Sequence, residues 1–418
     1  MLNTVSIILA LENDENFKSK KSKYQHDILF KPMINWVFDA CVNANIQTNA
    51  VIVSDKAKDL ANMLPEGTAV LSNQKAILAF TAQNLNKDIL LIPGDNVFID
   101  KDTLEKSYLN HKSENNDITS VFVDFNGKKV NCNINWVKAN YLLKVLDTLQ
   151  NLISNDNENP LDYLNNIDGK KGVYQTPNSN CACQIHDRVA LAQITEFARI
   201  YVLNKLIRNG VNIPHEQGII ISPDVEIGMD TTILPNTIIE GNTTIGEDCV
   251  IGENTHIISS KIGDNNKILN SYIEECIIHN GTKIGPYVHI RPKSEIFDFV
   301  KLGNFVEIKA SSIDKYTSVA HLTYLGDSKL GKFVNVGCGV VTANYDGAEK
   351  HKTVIEDSAF IGCNTNFIPP VHIGKGSVIG AGSTIDQDVG DFALALARNK
   401  QVVKEDWALR KGKYKKGL

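Results

Sequence analysis

"VEIGMDTTILPNTIIEGNTTIGEDCVIGENTHII", residues 225–258, places an isoleucine at 227, 233, 239, 245, 251 and 257. One aliphatic in every six residues fits neither the 3.6-residue period of a helix nor the two-residue alternation of a half-buried strand. It fits a parallel β-helix, in which each six-residue repeat forms one side of a triangular coil and the aliphatics stack inside. The period returns at Ile284, Ile290, Ile296, Leu302 and Ile308, and again at Ile361, Phe367, Ile373, Ile379 and Ile385. Glycine often follows the aliphatic directly, as at Gly228, Gly246, Gly303 and Gly380. Between Ile308 and Ile361 the register falters. There polar side chains collect in "SVAHLTYLGD" (318–327) and "ANYDGAEKHK" (343–352), which a purely structural ladder does not need.

Working outward from the ladder, glycine usage marks a change of architecture, since only 6 of the 28 glycines precede residue 216. The first part alternates apolar runs such as "SIILAL", "AVIVS" and "DILLIPGD" with helical patterns such as "PMINWVFDACVNA", "DKAKDLANML" and "KDTLEKSYLNH". That alternation predicts an α/β domain with a mostly parallel sheet covered on both faces. Ligands of such sheets sit at the carboxyl ends of the strands, where "PGD" puts Asp95. A helix from about Ile194 to Arg208 is expected to connect the halves. The expected organisation is 1–193, 194–213, 214–390 and a C-terminal arm at 391–418.

Composition excludes several classes. Hydrophobic residues make up 43% and charged residues 22% of the 418, as in ordinary soluble proteins. The net charge of −5 gives no general attraction to nucleic acid or anionic membrane. "TVSIILAL" is too short to span a bilayer and lacks the flanks of a signal peptide. Eight cysteines without C-x-x-C spacing read as reduced thiols, so a cytoplasmic location is expected.

Coils of this kind resemble the hexapeptide-repeat acyltransferases, whose helix is left-handed and usually trimeric. From "IRPKSEI" at 290 to the tail, the motifs resemble those of the bifunctional UDP-N-acetylglucosamine pyrophosphorylase/glucosamine-1-phosphate N-acetyltransferase family of cell-wall (peptidoglycan) precursor synthesis. The resemblance implies a homotrimer that transfers acetyl from acetyl-CoA to the amine of glucosamine-1-phosphate. It implies that Arg291, Lys309 and Lys350 are cations around the sugar phosphate, with Tyr324 and Asn335 on the phosphate and sugar hydroxyls. It makes His321 the general base, a role histidine can fill near neutral pH. Glu307 and Asn344 then position the ring or the amine, and Tyr345 shapes the site. The backbone N–H of Cys338 is the implied oxyanion donor. Cys363, Arg398 and Trp407, with the basic run Lys411 to Lys416, fall on the CoA-binding region. Another amino sugar phosphate as acceptor, a fully bifunctional enzyme with residual UTP-dependent uridylyl transfer, and a non-catalytic scaffold or regulator are the competing readings.

The resemblance weakens in the first domain. The family, whose N-terminal nucleotidyltransferase-like (Rossmann-like) domain transfers uridylyl from UTP with Mg²⁺, carries L-A-A-G-x-G-T-R after the first strand. This chain has "LALENDEN", which puts Glu12 and Asp14 at the glycines, Glu15 at the threonine and Asn16 at the arginine. Only close-approaching backbone N–H groups cradle a triphosphate, and glycine is what allows the approach. "NQKAILAF" and "LFKP" also depart from the family pattern, while Lys23, Lys31 and Asp95 remain. The second metal ligand falls loosely at His186. The domain is therefore expected to be degenerate, with uridylyl transfer lost and Mg²⁺ at Asp95 only if it is active. A helix-capping role is the alternative for Asp95.

Overall fold

The isoleucine ladder closes into a parallel β-helix of three sheets, with ten, nine and ten strands. In-register pairs run from coil to coil, Ile239 against Ile257, Ile257 against Ile273 and Ile273 against Ile290. Ile233, Ile239, Ile257, Ile290, Ile308 and Phe367 are fully buried, and each such side chain contributes about 1.5–3 kcal/mol. Buried threonines keep the coils together: Thr231 Oγ1 donates to Gly246 O at 2.7 Å, and Thr317 Oγ1 to Gly331 O at 2.7 Å. Many corners require a left-handed backbone, which asparagine tolerates at Asn236 and Asn254. The described residues are 3–11, 16–153 and 168–413 of this computed structural model, so Glu12, Asp14 and Glu15 lie outside them. Among the described residues no helix is long and apolar enough to cross a membrane.

Within the stretch where the sequence predicts a faltering register, "ANYDGAEKHK" does interrupt the ladder and "SVAHLTYLGD" does not. Ile313, Val319, Leu325, Leu330 and Val336 are all buried, and "SVAHLTYLGD" supplies the strands Ser318–His321 and Tyr324–Gly326. Coils shorten instead: Ile308 pairs with Leu325, Thr244 with Lys261 and Ile257 with Ile273. A strict six-residue period misses Ile262, Ile268, Ile273 and Ile278 for the same reason, since each corner can lose a residue while the side chain still points inward. The real interruption is one loop between the strands Val341–Thr342 and Thr353–Ile355.

The chain divides into two units, Met1–Tyr201 and Val202–Leu418, and the division falls inside a helix that runs from Arg188 to Arg208. In the first unit a seven-stranded sheet has the order Ala69–Leu71, Gln47–Val53, Thr4–Ala10, Asp88–Pro93, Lys128–Lys138, Ile118–Phe125 and Lys171–Thr176. Its first four strands are parallel, and Lys128–Lys138 is antiparallel to both neighbours. Every residue of Thr4–Ala10 is buried, as a strand covered on both faces demands. "DKAKDLANML" forms a 3₁₀ run, Asp55–Met63, rather than an α-helix. Asp100, not Asp95, caps the helix Lys101–Ser113, accepting from Thr103 N at 2.6 Å.

Candidate active site

Four neighbouring strands of one β-helix sheet carry Glu307, Lys309 and Tyr324, with Arg291 directly after the first. Glu307 lies in register with His289 and Tyr324, Lys309 lies against Gly326, and Tyr324 lies against Val341. Arg291 follows His289–Ile290, and its N–H bonds Ile308 O at 2.8 Å, so Arg291 and Lys309 are adjacent rungs of one column. Two like charges so placed need counter-charges. Arg291 Nη1 meets Glu307 Oε1 at 3.1 Å, and Lys309 Nζ meets Asp327 Oδ2 at 3.6 Å. Asn344 Nδ2 also donates to Asp327, and Tyr324 O–H donates to Asn344 Oδ1 at 3.4 Å. Arg291 and Lys309 together could donate to the oxygens of a phosphate dianion, provided that Glu307 and Asp327 turn away from the incoming charge. Burial, with the charge of Glu307 next in weight, raises the Tyr324 phenol above its usual range, so it stays a donor.

Gly326 makes this cluster possible. A Cβ there would lie 2.5 Å from Tyr324 Oη and 2.8 Å from Asn344 Nδ2. Gly326→Ala is expected to cost about 1–3 kcal/mol of stability by overpacking, read as an earlier urea midpoint at unchanged m-value.

His321 ends its strand at the corner before Tyr324. Its Nδ1 meets Asn304 Oδ1 at 2.5 Å, the residue one coil earlier in the same register. Nδ1 is thus the donor and Nε2 is left to accept a proton. The ring's partner is Asn304, whereas Glu307 holds Arg291, and Asn344 holds Asp327 and Tyr324. Asn304, Asp327 and Gly326 escaped the sequence reading, although counting 17 residues back from His321 reaches Asn304. Asn335 pairs with Ser318 and Phe360, on the strand next to that of His321, and is exposed. Among the described residues no acceptor bonds the Cys338 N–H, while its carbonyl accepts from Asn364 N at 2.7 Å.

The loop at 343–352 is pinned internally. Asp346 accepts from Ala348 N, Glu349 N and His351 Nε2 at 2.8, 2.7 and 2.7 Å, and His351 N donates to Asn344 O at 2.8 Å. The Glu349 N–H, then His351, hold the Asp346 carboxyl well below the usual range. Tyr345 and Lys350 face each other across an isolated antiparallel bridge. His351→Ala, by freeing the loop that carries Asn344 and Lys350, is expected to raise the KM for a phosphorylated acceptor about fivefold, the equivalent of one net hydrogen bond, with a smaller change in kcat in steady-state kinetics.

Arg398 and Trp407 lie after the last coils and stay apart from this cluster. Arg398 is exposed, with its Cδ 3.9 Å from where a Cβ on Gly382 would stand. Trp407 opens the short helix Trp407–Arg410, with Lys413 Nζ 5.1 Å from its ring centroid, and residues 414–418 lie outside the described residues.

In the first unit, Asp95 follows its strand as expected, but its Oδ2 is bound by Lys23 Nζ at 3.0 Å and by Ile185 N at 3.4 Å. His186 is exposed, and imidazole is a poor match for Mg²⁺, which takes oxygen ligands. Among the described residues no group of three His, Cys, Asp or Glu is arranged to hold a metal. Asp95 is thus the one carboxylate of the expected pair that is placed for a cation, and it is engaged by Lys23.

The family model "Bacterial transferase hexapeptide (six repeats)" matches residues 224–259 and 352–387. The chain is similar to the "Bifunctional protein GlmU" of Acetivibrio thermocellus, 35% identical over 98% of each chain. It is also similar to the proteins of the same name from Thermosipho melanesiensis, 37% identical over 97% of this chain and 98% of the relative, and Caldicellulosiruptor saccharolyticus, 38% identical over 97% of each.

Proposed function

This chain belongs to the GlmU family of transferases, with an α/β nucleotidyltransferase-like domain followed by a parallel β-helix, and on that premise we propose that the β-helix acetylates the amine of glucosamine-1-phosphate with acetyl-CoA. The observation that carries the reading is the column of Arg291 and Lys309, each held by an exchangeable carboxylate, beside a histidine whose Nδ1 is already engaged.

In this mechanism Arg291, Lys309 and Lys350 bind the phosphate, Arg291 with a planar fork that suits its oxygens, and Tyr324 and Asn335 add neutral donors. As the amine attacks the thioester carbon, His321 Nε2 takes the proton the nitrogen must lose, and Asn304 steadies the ring from Nδ1. Glu307 and Asn344 orient the amine, and Tyr345 closes the site. The Cys338 N–H, without an acceptor among the described residues, donates to the oxyanion. CoA leaves along Cys363, Arg398 and Trp407. The reading includes a homotrimer with the site in a groove between copies. The half-exposed, stacked rings of Phe299, Tyr316 and Phe333 support it as a surface for a second copy to cover. It also includes a first domain without uridylyl transfer, supported by the lost glycines and by the engagement of Asp95 with Lys23.

An acceptor panel of glucosamine-1-phosphate, glucosamine-6-phosphate and unphosphorylated glucosamine tests the proposal. The 1-phosphate should be acetylated best, with product identified by mass. Equal rates for phosphorylated and free sugar would remove the phosphate role of Arg291 and Lys309.

A further inference from the structure

The corner that bears His321 repeats in every coil. Leu322 N bonds Asn304 O at 3.1 Å, Gly339 N bonds His321 O at 3.3 Å, Asn364 N bonds Cys338 O at 2.7 Å and Gly382 N bonds Cys363 O at 2.8 Å. Asn304, His321, Cys338 and Cys363 therefore occupy one row, rung above rung. The pairing of Asn335 with Phe360 and Val336 with Ile361 leads into the same register for the two cysteines. Adjacent parallel rungs stand about 4.7–4.9 Å apart, inside the Cα separation of about 4.4–6.8 Å that a disulfide needs.

Exposure separates this pair from five of the other six thiols, and Cys183, half-buried like Cys338, lies outside the row. Cys363 is exposed and Cys338 half-buried, whereas Cys41, Cys132, Cys181, Cys249 and Cys276 are buried. Burial pushes the thiols of Cys132 and Cys181 up to about 12 and that of Cys276 up to about 11, and it raises Cys183 as well. Protonated, enclosed thiols are poor nucleophiles. Two accessible thiols on neighbouring rungs, in line with the proposed base, are a chemical pair.

We propose that Cys338 and Cys363 form a dithiol modification site that closes to an intrachain disulfide on reaction with the disulfide of the donor's own carrier thiol, CoA disulfide. The Cys363 thiolate attacks one sulfur of CoA–S–S–CoA, whose S–S bond breaks and whose departing CoA thiolate takes up a proton. The Cys338 thiolate then attacks the Cys363 sulfur of the mixed disulfide and displaces the second CoA thiol. Two protein thiols are oxidised and one CoA disulfide is reduced to two CoA thiols. The bond sits one rung from His321, in the row that the acetyltransferase reading gives to the acyl donor.

The choice of oxidant rests on the CoA-dependent reading, but the decisive readout does not need turnover. Full-length protein is treated with CoA disulfide or oxidised glutathione, alkylated under denaturing conditions and mapped by mass. The expected result is a Cys338–Cys363 cross-link, formed at least tenfold faster with CoA disulfide and reversed by dithiothreitol. Cys363→Ser should instead keep one CoA adduct at Cys338, and Cys338→Ala one at Cys363. Absence of the cross-link, or a stable adduct without it in the unsubstituted protein, overturns the disulfide. Equal rates with the two reagents overturn the assignment of the oxidant. If CoA release from acetyl-CoA is never seen while the cross-link forms, the acetyltransferase reading fails and the dithiol site stands.

Discussion

His321→Ala is expected to lower kcat for acetyl transfer to glucosamine-1-phosphate by about 10²–10⁴-fold, the usual loss on removing a general base. The phosphate is proposed to be bound through Arg291, Lys309 and Lys350, so the KM for the sugar should change far less than kcat. That split is the informative part. A residue that acted by holding the fold would lower stability along with rate, yet His321 is exposed at a corner, and the neighbours that support its coil, Val319 and Leu325, are fully buried. Thermal unfolding of the variant should therefore match that of the parent within a few degrees. Unchanged kcat in the alanine variant would move the base elsewhere, with His289 and His351 the histidines that adjoin the same cluster.

Supplied with UTP, Mg²⁺ and N-acetylglucosamine-1-phosphate, the protein is expected to release no pyrophosphate above background. The residues aligned with a phosphate-cradling loop are "LALENDEN", and no glycine occurs before Gly67. An acidic group about 4 Å from a phosphate oxygen is repulsive by about 4 kcal/mol at an effective dielectric near 20. At 1.4 kcal/mol per tenfold, one such pair removes binding by about three orders of magnitude, before the lost N–H donors are counted. Asp95 is already neutralised by Lys23. Pyrophosphate release at a rate comparable with acetyl transfer would refute this part of the account, and the loop would have to bind the triphosphate by side chains in place of backbone.

Much of the fold was legible because it rests on period. Isoleucines six residues apart can only stack, and they do. Legibility failed where a corner dropped a residue, at Ile262 to Ile278, because a count in sixes cannot see that a shorter turn returns the side chain inward. The break expected at "SVAHLTYLGD" was read from polarity, but in a β-helix the outer face is free to be polar while Val319 and Leu325 keep the ladder. At the site, residue types suggested cations and a base. What they could not supply was pairing: that Asn304 rather than Glu307 holds the His321 ring, or that Gly326 must lack a side chain for Tyr324 and Asn344 to meet. Those contacts join positions 17 to 20 residues apart, and only the coil length brings them together.

Acetyl transfer from CoA to an amino sugar phosphate is what the β-helix is proposed to perform. Its most direct test is release of CoA thiol from acetyl-CoA by the purified protein, followed with and without glucosamine-1-phosphate. Release that requires the sugar is the predicted result. No release with the sugar present, or release that proceeds equally without it, would contradict the account.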